Sequence, residues 1–259
     1  MRTKVAILSS LFFYFLAITE SQAQYEGTEY GDTLYFREYL GGVVVSEYGG
    51  TIGGLYLKHA RAITPKMYHA FLFEVLFIKE PRERTTRLDL GGRTISYSRY
   101  KKNYLTSIRL LYGRDLILFK KARDRGLQVN FHGLAGLVLG LESSYDFEIR
   151  RKNSSRTERI SGEEFWDPNR DSLGVIGRVN PVRAVFGVDR VRPGISIRPS
   201  FMFEYGLDRR KVTGLEIGVS YDYYFSAPEI LINGPLNENG NYRKSFISIF
   251  AAFNLGVRK

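Results

Sequence analysis

The chain has 259 residues, a formal net charge of +11, 14% aromatic residues and no cysteine. Without cysteine there is neither a disulfide framework nor a lipidation site for a lipoprotein, so stability must come from strand pairing. The length suits one barrel or sandwich better than two domains.

Residues 1–23 open with Arg2 and Lys4, continue through the apolar run Val5 to Ile18 and reach Ser21-Gln22-Ala23. This order predicts a secretory signal peptide cut after Ala23: the run is short for a membrane span, and small residues stand three and one before the cut. Residues 24–259 then form the exported domain, at +10 once Arg2, Lys4 and Glu20 are removed. A basic exported protein meets anionic surfaces such as lipid head groups or acidic sugars, and nucleic acid is not an expected partner. Beyond residue 23 no apolar run is long enough for a spanning helix, so a place in a membrane demands a closed barrel.

Leu34 to Tyr39 reads either as a short strand or as an extended arm. Leu40–Tyr48 and Thr51–Ala60 are strands one and two, joined by Gly49-Gly50, which supplies the positive φ angles of a tight hairpin. Strand three is Met67 to Ile78, with Phe71, Phe73, Val75 and Phe77 on one face and Glu74 in the middle of the other. Lys79 to Asn103 carries eight basic and three acidic residues without an apolar period and is expected as a long loop. Strand four starts at Tyr104, sets Thr106, Ile108, Leu110 and Tyr112 against Ser107 and Arg109, and runs toward Lys121 past a bulge near Gly113. After the Asp124-Arg125-Gly126 turn, strand five opposes Leu127, Val129, Phe131, Leu137, Leu139 and Leu141 to Gln128, Asn130, His132, Gly136, Gly140 and Glu142.

Arg150 to Arg190 is polar and charged, a second long loop with room for a hairpin of its own. Val191 to Phe225 then gives the clearest pattern of the chain. Ile195, Ile197, Phe201, Phe203 and Tyr205 alternate with Ser196, Arg198, Ser200 and Glu204, and Leu215 to Phe225 repeats the alternation around Glu216, Ser220 and Asp222. Period two makes this a hairpin with one apolar and one polar face. A three-residue loop, Asp208-Arg209-Arg210, keeps the two apolar faces together and sets Arg198 opposite Ser220, a diagonal step from Asp222. Ala227 to Asn241 is a third loop, and Tyr242 to Val257 is strand eight, with Ile247, Ile249, Ala251, Phe253 and Leu255 opposed to Ser248, Asn254 and Gly256.

These strands exceed the five or six residues usual in globular proteins, and a tilted membrane strand needs roughly 9–11. Turns at 61–66, 122–126 and 207–211 fall on one side, and the loops at 79–103, 150–190 and 227–241 on the other, the asymmetry of bacterial outer-membrane barrels. The expected fold is therefore all-β: a transmembrane antiparallel β-barrel of eight strands with long extracellular loops.

With these elements in place, the chain resembles the small outer-membrane β-barrel proteins of Gram-negative bacteria. More narrowly it is similar to an uncharacterised barrel family of Bacteroidota, through Arg37-Glu38-Tyr39-Leu40-Gly41-Gly42, the Gly49-Gly50 hairpin, Phe73-Glu74-Val75, Lys79-Glu80-Pro81-Arg82-Glu83 and the Pro193-Gly194 strand entry. The resemblance implies location in the cell outer membrane and a barrel fold; it carries no activity and no functional residues. Many such barrels end on an aromatic residue, whereas here Phe253 is followed by six further residues.

Three histidines, His59, His69 and His132, are scattered, and no Ser-His-acid spacing or metal-ligand spacing accompanies them. His132 is expected beside Ser107 or Arg109 of the neighbouring strand, in a hydrogen-bond network and not as a catalyst. No enzyme activity, cofactor or metal is expected. Glu74, Arg109, His132, Arg198, Glu204, Glu216 and Asp222 form the expected interior polar network, with Gln128, Asn130 and Glu142 on the same face. An eight-stranded barrel is wide enough only to be filled by side chains or to hold one small ligand. Tyr104, Tyr112, Tyr205, Tyr221 and Tyr223 sit where interfacial aromatic girdles do. The basic segment 79–103 offers arginines to lipopolysaccharide phosphates. The functional expectation is a non-enzymatic integral outer-membrane protein with a filled lumen, in contact with outer-membrane lipid and lipopolysaccharide, with a structural role or a protein partner at its external loops. Its alternatives are a narrow outer-membrane channel or transporter for small solutes, and a soluble exported barrel holding a lipid in an apolar lumen.

Overall fold

The structure, a computed structural model, describes residues 36–47, 50–80, 82–89, 94–120, 127–150, 157–166, 175–179, 187–205, 210–232 and 242–259. The predicted signal peptide at 1–23, Gly49, Gly91-Gly92, the Asp124-Arg125-Gly126 turn, the tip of the 207–211 turn and the glycines of 233–241 lie outside them.

Eight long strands close into an antiparallel barrel: β1 (Arg37–Ser46), β2 (Gly50–Thr64), β3 (Met67–Ile78), β6 (Asn103–Phe119), β7 (Gln128–Ser144), β11 (Arg190–Tyr205), β12 (Lys211–Tyr224) and β13 (Ser245–Arg258). Each pairs with its neighbour in the chain, and β13 returns to β1 from Glu38↔Arg258 to Ser46↔Phe250. Closure leaves the barrel sheet without an open edge. These are the eight strands expected from the alternation. β1 also absorbs Arg37 to Tyr39 of the 34–39 segment; Phe36 precedes the strand, and residues 34 and 35 lie outside the described residues. In the β11–β12 hairpin, Ser196 faces Asp222 and Phe201 faces Ile217, the register that the apolar pattern requires.

Period two becomes an inside and an outside. On β3 Phe71, Phe73 and Phe77 are exposed, and Ala70, Leu72, Glu74 and Leu76, which alternate with the outer row, are buried. The buried face is polar only in part. Leu72, Leu111, Leu134, Val138 and Phe250 share the interior with the charged groups, and Leu40, Met202 and Val212 cluster near the turn end.

Two expectations change. The segment 79–103 contains a hairpin, β4 (Thr85–Asp89) with β5 (Thr94–Ser98), which the alternation missed because its charged residues hide so short a period. The irregularity of β6 lies between Ile117 and Phe119 and not at Gly113. Gly113 stays in register because backbones meet there: a Cβ at that position would stand 1.9 Å from the Gly133 carbonyl oxygen. The second long loop folds as a three-stranded sheet, β8 (Asp146–Arg150), β9 (Thr157–Ser161) and β10 (Val175–Val179) in the order β10-β8-β9, with the single-turn helix α1 (Gly162–Phe165) after β9.

Gly136 of β7 is as confined as Gly113, since an added Cβ would meet the Leu110 carbonyl oxygen at 2.2 Å. Overpacking of this kind costs about 1–3 kcal/mol or more. Gly136→Val is expected to lower the unfolding midpoint and the strand signal after refolding, both read by circular dichroism, while Gly133→Val, whose Cβ meets only a Phe131 ring edge at 3.3 Å, has the smaller effect.

Candidate functional site

The strand alternation turns side chains from six barrel strands toward one another, and six of the seven predicted interior residues join a single chain of contacts. Arg109 on β6 donates to Asp222 on β12 through Nε at 3.1 Å and Nη2 at 2.5 Å, and to Glu74 on β3 through Nη1 at 2.7 Å. This is a fork on one carboxylate plus a second acid. Glu74 also faces Arg198 on β11, with Oε1 3.6 Å from Nε, and Arg198 donates through Nη1 to Glu216 on β12 at 2.6 Å. The Arg198 guanidinium lies 4.0 Å from the centre of the Phe250 ring, a cation–π contact in a dry setting. Glu216 Oε1 stands 3.6 Å from His132 Nδ1, and His132 Nε2 is 3.2 Å from Lys58 Nζ and 3.7 Å from Asp115. Lys58 and Asp115 close the series with an ion pair of 2.6 Å.

Glu204 stands apart. It pairs with Arg258, which donates to Glu204 at 2.9 and 2.5 Å and to Glu38 at 2.6 Å, at the turn end of the barrel. Gln128 donates to Asn130 nearby. His132 does not meet Ser107 or Arg109. The β6–β7 register opposes it to Asp115 and sets Arg109 opposite Val138, because both strands run on beyond Gly113 and displace the turn. Although Arg198 holds the predicted register, its partners are Glu216 and Glu74, and Asp222 goes to Arg109.

Several members escaped the sequence reading. Lys58 lies on β2, whose glycines blur the alternation, and Asp115 lies beyond the point where a bulge was expected. Without that bulge its parity matches Ser107 and Arg109, which was the available signal. Ser200 and Tyr56 both donate to Glu216, at 2.6 and 3.0 Å, and Tyr56 also donates to Asn254. Among the described residues no three His, Asp or Glu groups converge as metal ligands.

At the loop end, residues 228–232 lie across the mouth. Ile230 and Leu231 are buried in the main core. The Ile230 carbonyl accepts from the amides of Lys102 and Asn103 at 2.9 and 3.2 Å, and Ile232 N–H donates to the Tyr100 carbonyl at 2.9 Å. Glu229 binds this cap to the rim: its side chain accepts from Lys102 at 2.9 Å, and its amide donates to Glu142 at 2.7 Å, which also holds Arg192 at 3.0 Å. Above the rim, Tyr145, Phe147, Ile149 and Ile160 form a second core with Phe165 and Trp166. Tyr104, expected in an outer girdle, packs there, 5.0 Å from Tyr145. Lys101 Nζ lies 4.7 Å from the centre of the Tyr104 ring and 2.8 Å from Glu83; burial holds its ammonium below the usual range, against the pull of Glu83.

The cap contact has a pH window. The hydrogen bond from Lys102 holds the Glu229 carboxyl below its ordinary range, with burial opposing. Burial works to lower Lys102, but the bonds to Glu163 and Glu229 carry it above its ordinary range. A depressed acid stabilises above its unfolded value, about 4.3, and loses that contribution as pH falls through its folded value. A raised lysine stabilises below about 10.4 and loses its contribution as pH rises through its folded value. Hydrogen exchange of the amides of Lys102, Asn103 and Ile232, corrected for intrinsic rates, is expected to quicken below about pH 4, while the amides in mid-β12 keep their protection.

Removing one partner of a buried ion pair costs about 3–5 kcal/mol, whereas replacing both with apolar groups is often close to neutral. Arg198→Met is therefore expected to lower the denaturant midpoint strongly, and Arg198→Met with Glu216→Leu to lower it less than Arg198→Met alone. Losses that simply add would mean that the two residues act independently.

No known family model matches the chain, and no curated protein matches it.

Proposed function

We propose that the protein is an integral outer-membrane β-barrel, without enzymatic activity, whose interior side chains block passage and whose loop end serves a structural or interaction role. The observation that carries this reading is the outward face. Val43, Leu57, Phe73, Leu110, Leu137, Ile197, Ile217 and Ile249, one from each barrel strand, are all at least 39% exposed. Soluble monomers rarely expose contiguous apolar patches beyond a few hundred Å², and here the apolar surface encircles the barrel. In hydrocarbon such a belt is favourable, and a closed barrel satisfies its own backbone groups there. Tyr112 and Tyr205 are exposed near the turn end, where an interfacial aromatic belt is useful. A soluble carrier of lipid would need the opposite arrangement of faces.

The histidines support a non-catalytic reading. His132 faces Lys58, Asp115 and Glu216, His69 bonds to the Tyr112 hydroxyl at 2.5 Å, and His59 packs 4.7 Å from the Tyr39 ring. We place the chain with the Gram-negative barrels it resembles, in a Bacteroidota setting, its signal peptide removed after Ala23. The exposed Arg84, Arg87 and Arg99 are offered to lipopolysaccharide phosphates.

Leu137 sits at mid-belt between Leu110 and Ile195. An arginine on the lipid side at this depth costs about 2–4 kcal/mol, so Leu137→Arg is expected to reduce insertion into vesicles, measured as the heat-modifiable folded band. The unaltered protein is expected to give no single-channel steps in planar bilayers. A detergent-free soluble monomer would overturn the membrane reading, and steady conductance would replace the blocked interior with a narrow channel.

A further inference from the structure

The two ends of the barrel dispose of charge differently. At the turn end the described acids are Glu38, Asp115 and Glu204, and all three are buried, paired with Arg258 or Lys58. Other bases of that end go outward: Arg37, Arg61, Lys66, Arg114, Lys211 and Lys259 are exposed. At the loop end exposed charges of both signs mingle, with Glu47, Glu158, Glu163 and Asp189 beside Arg84, Arg99, Arg159 and Arg190.

Position sharpens the contrast. Arg37, Arg61, Arg114 and Lys211 each stand two residues from an outward-facing neighbour, Tyr39, His59, Tyr112 and Thr213 respectively, and so continue the outer rows of their strands. They point sideways from the wall and not along the barrel axis. Exposed Phe36, Ile63, Phe119 and Tyr205 stand among them. Apolar stems laid along an apolar belt with their charges carried to its border are how lysine and arginine settle at a bilayer interface.

We infer that this rim is a seat for the head groups of anionic phospholipids in the leaflet that meets the turn end. The inference rests on the membrane reading above and adds the head-group class. Arginine forks match phosphate oxygens bidentately, and lysine adds a compact charge. Because the described acids of this end are turned inward and neutralised, they do not cancel the fields of the outer bases. A zwitterionic head group brings a phosphate but also an ammonium that the rim repels, so a net negative lipid is preferred. The sideways aim favours lipid over an acidic partner in the water beyond the turns.

The test uses the purified full chain in phosphatidylcholine vesicles with a trace of spin-labelled phosphatidylglycerol or spin-labelled phosphatidylcholine, and reads the fraction of each probe immobilised at the protein. Phosphatidylglycerol is expected to be preferred by about fivefold at low salt, the scale of one basic residue at an anionic surface. The preference should fall toward unity near 1 M salt, where the Debye length is about 3 Å. It should fall likewise in the variant Arg61→Gln, Lys66→Gln, Arg114→Gln, Lys211→Gln, and the salt series on the unaltered chain decides the matter should that variant fold poorly. Equal immobilisation of the two lipids overturns the inference and leaves the membrane reading standing. Equal immobilisation together with retention of soluble polyglutamate assigns the rim to an acidic polymer instead, which also overturns it. No immobilised lipid of either kind overturns the membrane reading and the rim assignment together.

Discussion

Closure of β13 on β1 is the constraint to which the rest of the chain conforms. Reciprocal bonds between Arg37 and Lys259 fix the seam at its turn end, each amide donating to the other residue's carbonyl at 2.9 Å. Once the ladder is continuous, each strand has only two directions for its side chains, inward and outward. The confined glycines follow from the same constraint. At Gly113 and Gly136 the backbone of the paired strand leaves no room for a Cβ.

Closure also decides how the buried charges behave. Three cations, Lys58, Arg109 and Arg198, meet four carboxylates, Glu74, Asp115, Glu216 and Asp222, with His132 between two of the acids. Each would be costly to bury alone, and the attraction of a pair roughly offsets desolvation only when further hydrogen bonds complete the geometry. Glu216 and Arg109 have such bonds, from Ser200 and Tyr56 to Glu216 and from Arg109 to Ser220. Glu74 Oε1, Asp115 Oδ1, His132 Nδ1 and the Nε and Nη2 of Arg198 are buried without a hydrogen bond, so the network is weak evidence of net stability but strong evidence of coupling, since each member meets charged groups of other strands.

The fold was legible because alternation is a local property that survives in the sequence of every long strand. Glu74, Arg109, Arg198, Glu216 and Asp222 could be placed inside by parity alone. Partner choice could not, because it depends on side-chain reach beyond the nearest neighbours: Arg198 passes over the diagonal neighbour Asp222 to take Glu216, farther along β12, and Glu74 across the barrel. Asp115 was lost to one misplaced irregularity, since a single-residue slip reverses the face of everything after it. The cap at 228–232 left no signal, as Ile230 and Leu231 are two apolar residues in a polar loop, and only the closed mouth gives them a place to be buried.

The ion-paired interior also bears on which face looks out. An all-apolar interior would make the two faces of each strand interchangeable, and a slip of one residue would then cost little. With Arg198 and Glu216 on one face and Ile197 and Ile217 on the other, the same slip moves a charge to the outer surface and strands its partner inside, so the penalty falls on both faces at once. In the lipid setting proposed above, the outer penalty for an arginine alone is about 2–4 kcal/mol at mid-depth. Because the network spans β2, β3, β6, β7, β11 and β12, one strand out of register breaks contacts with several others, and the correct register is enforced collectively. The buried charges thus serve the uniqueness of the barrel more than its depth of stability.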